Sequence, residues 1–128
     1  MYQRKTPKDI RCPVERGMDI LGGKWGSRVV CVLSKRGKLR YNELREELVD
    51  VTDAALSAAL KNLVENGVVD RSQFEEIPPR VEYSLTPWGE KGVEALSALA
   101  AWAHGYTKES MCYNVMPVCA LCDFKSSE

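Results

Sequence analysis

The C-terminal end of the chain carries Cys112 and, seven residues on, the pair Cys119-x-x-Cys122. A CxxC pair can close two thiolates on one metal ion. With Cys112 and His104, the single histidine of the chain, it makes up the four soft ligands that a tetrahedral Zn²⁺ site takes. A redox-switchable disulfide, an iron–sulfur ligand set and a tail that holds nothing would use the same residues, and the spacing leaves all of these open. A thioredoxin-like use is disfavoured, because the pair follows no strand of a βαβ unit. Further up the chain, Cys12 directly precedes Pro13-Val14, which places it at the N-cap of a helix. Unpaired N–H groups, the positive end of the helix dipole and the neighbouring Arg11 and Arg16 all favour a thiolate there, the form that reacts with oxidants and electrophiles. The plainer expectation for Cys12 is a half-buried thiol packed at a subunit interface. Cys31 lies among Val29, Val30 and Val32 and is expected in the core.

Other chemistry is poorly supplied. With one histidine, no glycine-rich phosphate loop and no paired acids that suggest a pocket, an enzyme is not expected. Met1 to Arg11 carries Arg4, Lys5, Lys8 and Arg11 without an apolar run, and the longest nearly apolar stretch, Ala95 to Ala103, is too short to span a bilayer. No export signal or membrane anchor is expected, the cytoplasm is the expected location, and an odd count of five cysteines there does not suggest a disulfide framework. The net charge of zero hides a division: residues 1–45 hold twelve Lys/Arg and four Asp/Glu, the rest six and fourteen, so +8 faces −8. A basic surface of that kind attracts phosphates, provided that folding keeps it together.

The elements that would position these groups follow from periodicity and caps. A short helix runs from Val14 to Leu21 behind Pro13 and ends at Gly22-Gly23; a second runs from Trp25 to Lys35 and stops at Gly37. Leu39 to Tyr41 reads as a strand-like approach to a helix from about Asn42. Thr52 is an N-cap, and the helix behind it buries Leu56, Leu60, Leu63 and Val64 and closes at Gly67. Its opposite face carries Asp53, Ala54, Ser57, Ala58 and Lys61, small or polar groups that leave room for close approach. Two short helices joined by a tight connection, followed by a hairpin of Val68 to Phe74 and Arg80 to Leu85, make a winged helix-turn-helix.

The hairpin tip, with Pro78-Pro79, is too long and polar for a tight turn. Stiffened by the prolines and carrying Arg80, it suits contact with a sugar-phosphate backbone or minor groove, while blunting of an exposed sheet edge is an equal reading. The last helix begins at Thr86-Pro87. Its stripe of Trp88, Gly92, Ala95, Leu96, Leu99, Trp102, Ala103 and Tyr106 runs longer than a core of this size covers, so a second subunit is its expected cover. The fold class expected is mainly α with a small β-hairpin, with residues 1–106 as the DNA-binding and dimerisation domain and 107–128 as a Cys-rich tail.

Four ordered blocks carry a resemblance: "CPVERGMDILGGKW" (12–25), "YNELREEL" (41–48), the Leu56 to Gly67 helix, and "PPRVEYSLTPWG" (78–89). Together they resemble HxlR-type winged helix-turn-helix transcriptional regulators across about residues 10–105. The resemblance implies a homodimer, built from the N- and C-terminal helices, that reads a palindromic operator in double-stranded DNA, with half-sites about 34 Å apart. It puts Thr52, Asp53, Ala54, Ser57 and Lys61 on the recognition face, Arg80 on the wing, and Lys38 and Arg40 at phosphates. It also permits Cys12 to act as a redox sensor of oxidants, quinones or aldehydes, with the inducer open. The chain departs from the family pattern where Asp53-Ala54-Ala55 stands in place of a basic or longer polar residue; an acid or a methyl group cannot make the bidentate guanine contact of an arginine. Binding is therefore expected to lean on phosphates and DNA shape. The competing expectation is a winged-helix module for protein interaction or metal sensing that uses Cys112, Cys119 and Cys122.

Overall fold

Helix boundaries follow their caps. Pro13 opens α1 (Pro13–Leu21), where its missing N–H leaves no bond unmade. α2 (Lys24–Arg36) ends at Gly37, β1 (Leu39–Arg40) follows, and α3 (Tyr41–Leu48) begins on the next residue. α4 (Asp53–Glu65) opens on Thr52, whose hydroxyl oxygen accepts from the Ala55 N–H at 3.1 Å, as expected of an N-cap. β2 (Val69–Phe74), β3 (Arg80–Leu85) and α5 (Pro87–Thr107) complete a computed structural model that describes residues 8–107. None of the helices among these residues is long and apolar enough to cross a membrane.

The expected hairpin gains a third strand. β1 pairs antiparallel with β3, Leu39 opposite Tyr83, and β2 pairs with the other edge of β3 from Val69–Leu85 to Phe74–Arg80, giving the order β1-β3-β2. Because side chains alternate across a strand, this register turns Tyr83 into the core and sets Phe74 beside Arg80 at the far end.

One core joins the helices to the sheet. Val29, Val30 and Leu33 of α2, Leu44 of α3, Leu56 and Leu63 of α4, and Val69 of β2 are essentially sealed from solvent, each side chain contributing about 1.5–3 kcal/mol of transfer free energy. Leu56, Leu60 and Leu63 are the expected α4 stripe, so burial fixes which face of α4 looks outward. The expectation for Cys31 is corrected: it is exposed. The buried arc of α2 is centred on Val29 and Leu33, and at 3.6 residues per turn position 31 falls on the opposite side of the helix. Its β-branched neighbours in sequence are not its neighbours in space.

The connection from α3 to α4 is strained. Val49 has φ 70° and ψ −75°, and the Asp50 N–H donates to the Leu48 carbonyl at 2.8 Å, which closes a γ-turn of the rare positive-φ kind on a β-branched residue. Val49 is exposed, while Val51 two residues on is buried and anchors the turn to the core. At the other end of α4, Gly67 takes φ 76°, and the Val68 N–H returns to the Leu63 carbonyl at 2.9 Å.

Thr86 ties this corner to α5. Its hydroxyl lies 2.6 Å from the Gly67 carbonyl and 3.2 Å from that of Val68, and its oxygen accepts from the Gly89 N–H at 2.9 Å. A β-carbon at Gly89 would overlap the Val68 carbonyl, so only glycine lets α5 approach this closely. Beyond the junction Leu21 packs on Gly92, while Trp88, Leu99 and Trp102 of α5 and Val14 and Met18 of α1 stay largely exposed.

Candidate nucleic-acid interface

The outward face of α4 is built as its sequence suggests. Asp53, Ala54, Ser57, Ala58 and Lys61 are all exposed, as is Thr52 at the N-cap. Two of these side chains are tied down. The Tyr41 hydroxyl, reaching across from the start of α3, donates to Asp53 Oδ1 at 3.0 Å and lies 3.3 Å from the Asp53 carbonyl oxygen and 3.4 Å from Ser57 Oγ. Arg45 Nε, one turn along α3, stands 3.5 Å from the same Asp53 Oδ1. Both charged side chains of that pair are more than half exposed, so water screens the attraction, which is worth less than about 1 kcal/mol. Its effect is to orient the carboxylate and to place a positive charge beside it.

Between α4 and the sheet runs an open crevice of about 350 Å³, floored by Leu60, Val64 and Tyr83, with Lys61 and Arg71 at its edge. Arg71, on β2, is exposed, and among the described residues its guanidinium reaches only Gln73 Oε1, at 3.4 Å. Neither Lys61 nor Arg71 meets a carboxylate within ion-pair distance among the described residues. The same holds for Lys38 and Arg40, both exposed on the approach to α3, where the Arg40 N–H donates to Glu43 Oε1 at 2.8 Å.

Arg80 is placed otherwise. Its guanidinium stacks 4.1 Å from the centre of the Phe74 ring, the cross-strand partner, with Glu76 at 3.2 Å and Glu82 at 3.6 Å. Only 27% of the side chain is exposed. The wing tip beyond it presents Glu75, Glu76 and a fully exposed Ile77.

Cys12 caps α1 as expected and is exposed, but its side chain accepts no capping hydrogen bond. Glu15 reaches back to the Arg11 N–H at 2.7 Å, while the Arg11 guanidinium turns to Asp9 at 3.0 and 3.1 Å. Cys112, Cys119, Cys122 and the side chain of His104, the expected metal ligands, lie outside the described residues.

Sequence reasoning missed Tyr41, Arg45 and Arg71. Tyr41 is twelve residues from Asp53, and their meeting depends on how two helices pack, so no local spacing announces it. Arg71 carried a weak signal, as a cation on the outward side of a strand next to the helix that bears Lys61.

The family model described as HxlR-like helix-turn-helix matches residues 20–111. An uncharacterized HTH-type transcriptional regulator of Methanothermobacter thermautotrophicus is 40% identical over 95 residues, spanning 74% of this chain and 72% of that protein. The redox regulator HypR in its oxidised form superimposes with a TM-score of 0.64 at 35% identity, covering 73% of this chain and 96% of that one. The reduced form of the transcriptional regulator YodB from B. subtilis gives 0.68 at 28% identity, covering 81% and 99%.

Proposed function

The chain belongs to the HxlR-like helix-turn-helix family, and on that premise we propose that it regulates transcription by binding duplex DNA as a homodimer, with α4 in the major groove. The observation that carries this reading is the outward face of α4: small side chains ending in Lys61, next to Arg71, with the core sealed behind it. Small groups let the helix backbone approach base edges, and cations that meet no carboxylate among the described residues supply the phosphate attraction that dominates affinity.

In this reading Lys61, Arg71, Lys38 and Arg40 face phosphates, and Ala54 and Ala58 meet thymine methyl groups. Arg80 braces the wing, its charge offset by Glu76 and Glu82. The exposed apolar side chains of α1 and α5 bury one another across a two-fold axis, the disposition that pairs two recognition helices about one DNA turn apart. Cys12 sits at the head of α1, where oxidation or alkylation would shift that helix and alter the separation of the half-sites; the redox regulator among the similar structures lends support.

The test is binding to the DNA upstream of its own gene over a range of salt. A linear fall of log K with log salt, together with a dimer in sedimentation, supports the reading; absence of binding at low salt overturns it. For Cys12, release of DNA by diamide that persists in Cys12→Ser removes the residue from the mechanism.

A further inference from the structure

Asp53 is an odd residue to offer a polyanion, and its surroundings account for it. The N-terminal residues of a recognition helix are those that meet base edges, and Asp53 is the first residue of α4. It is flanked on the outward face by Ala54 and Ala58, so its carboxylate is the longest group in the first turn of that face. Oδ1 is taken by the Tyr41 hydroxyl at 3.0 Å and by Arg45 Nε at 3.5 Å, and Oδ2 meets no protein donor among the described residues. The positive end of the helix dipole and the Arg45 guanidinium offset its charge against the phosphates.

Resting on the DNA-binding reading above, we infer that Asp53 reads a base: held by Tyr41 and Arg45, its outer oxygen accepts a hydrogen from the exocyclic amine of a cytosine in the major groove. A carboxylate only accepts, and the major groove offers two kinds of donor, cytosine N4 and adenine N6. Adenine sets its N7 acceptor beside that amine and would repel the carboxylate, whereas on the cytosine edge the amine has no such neighbour. Tyr41 and Arg45 are positioning residues. Without them the carboxylate is free to rotate away from the base edge.

The experiment is selection of bound duplexes from a random pool at one salt concentration, with the full chain as wild type, Asp53→Asn, Asp53→Ala and Tyr41→Phe, each first confirmed as folded by its thermal melt. The wild type is expected to enrich cytosine at one position of its motif. Asp53→Asn, which can donate to N7 and accept from N6, shifts that position to adenine by about tenfold and leaves the others unchanged. Asp53→Ala flattens the position, and Tyr41→Phe keeps cytosine with a reduced preference. A merely structural tether would instead weaken all sequences alike. The inference is overturned if Asp53→Asn and Asp53→Ala keep the wild-type motif, if they alter it at every position, or if the wild type binds DNA with steep salt dependence but enriches no cytosine. Failure of the wild type to bind DNA at all sinks the regulator reading as well, which distinguishes the two.

Discussion

Helix α4 and the wing both carry charged side chains, yet they treat them in opposite ways. On α4 the acid is the side chain that is tethered, by Tyr41 and Arg45, while Lys61 meets no protein carboxylate within ion-pair distance among the described residues. On the wing the cation is tethered: Arg80 lies on Phe74 between Glu76 and Glu82. A charged residue's partners within the fold, more than its sign in the sequence, decide which of its atoms stay open to a ligand: Asp53 keeps Oδ2 clear of protein donors among the described residues, whereas the Arg80 guanidinium is held on Phe74 between two carboxylates. Desolvation and internal pairing are settled before any duplex arrives.

The comparison breaks most severely if α4 loses the core beneath it. Leu56→Ala removes a sealed side chain and is expected to cost about 3 kcal/mol by urea unfolding, taking the outward face of α4 with it. Next, Lys61→Ala and Arg71→Ala should each lower the slope of log K against log salt by about one and weaken binding on every sequence, read by fluorescence anisotropy. Arg80→Ala sharpens the contrast: it is expected to cost about 1 kcal/mol of stability through the lost ring contact, a fall of about 4 °C in Tm, with the salt slope unchanged. A slope that drops by about one would return Arg80 to the phosphates. The smallest effect is a gain: Val49→Gly relieves the positive-φ strain at a modest entropic cost and should raise stability by about 0.5–1 kcal/mol.

Much of this was legible in the residues themselves. Thr52, Gly67 and the Thr86-Pro87 pair mark helix ends through local hydrogen bonding, and the spacing of Leu56, Leu60 and Leu63 orients α4, because those signals act within one or two turns of chain. Apart from Cys31, what escaped depends on longer reach. Cys31 was misplaced because a run of valines resembles continuous burial, whereas the helix turns one member of the run outward. The clasp on Arg80 needs the register that sets Phe74 across from it, and the Tyr41–Asp53 bond needs the angle between α3 and α4. Tertiary packing creates those contacts, and no pairwise spacing encodes them.

The Thr86 hydroxyl has a mechanical consequence. It grips the last turn after α4 and the first residues leading into β2 while capping α5, and Gly89 presses that cap against Val68 with no side chain to act as a cushion. Helix α5, helix α4 and the root of the wing therefore meet at a single junction. A displacement of α5 at this junction is passed directly to the end of α4 and the start of β2, while at its other end α4 meets α3 through the strained γ-turn at Val49.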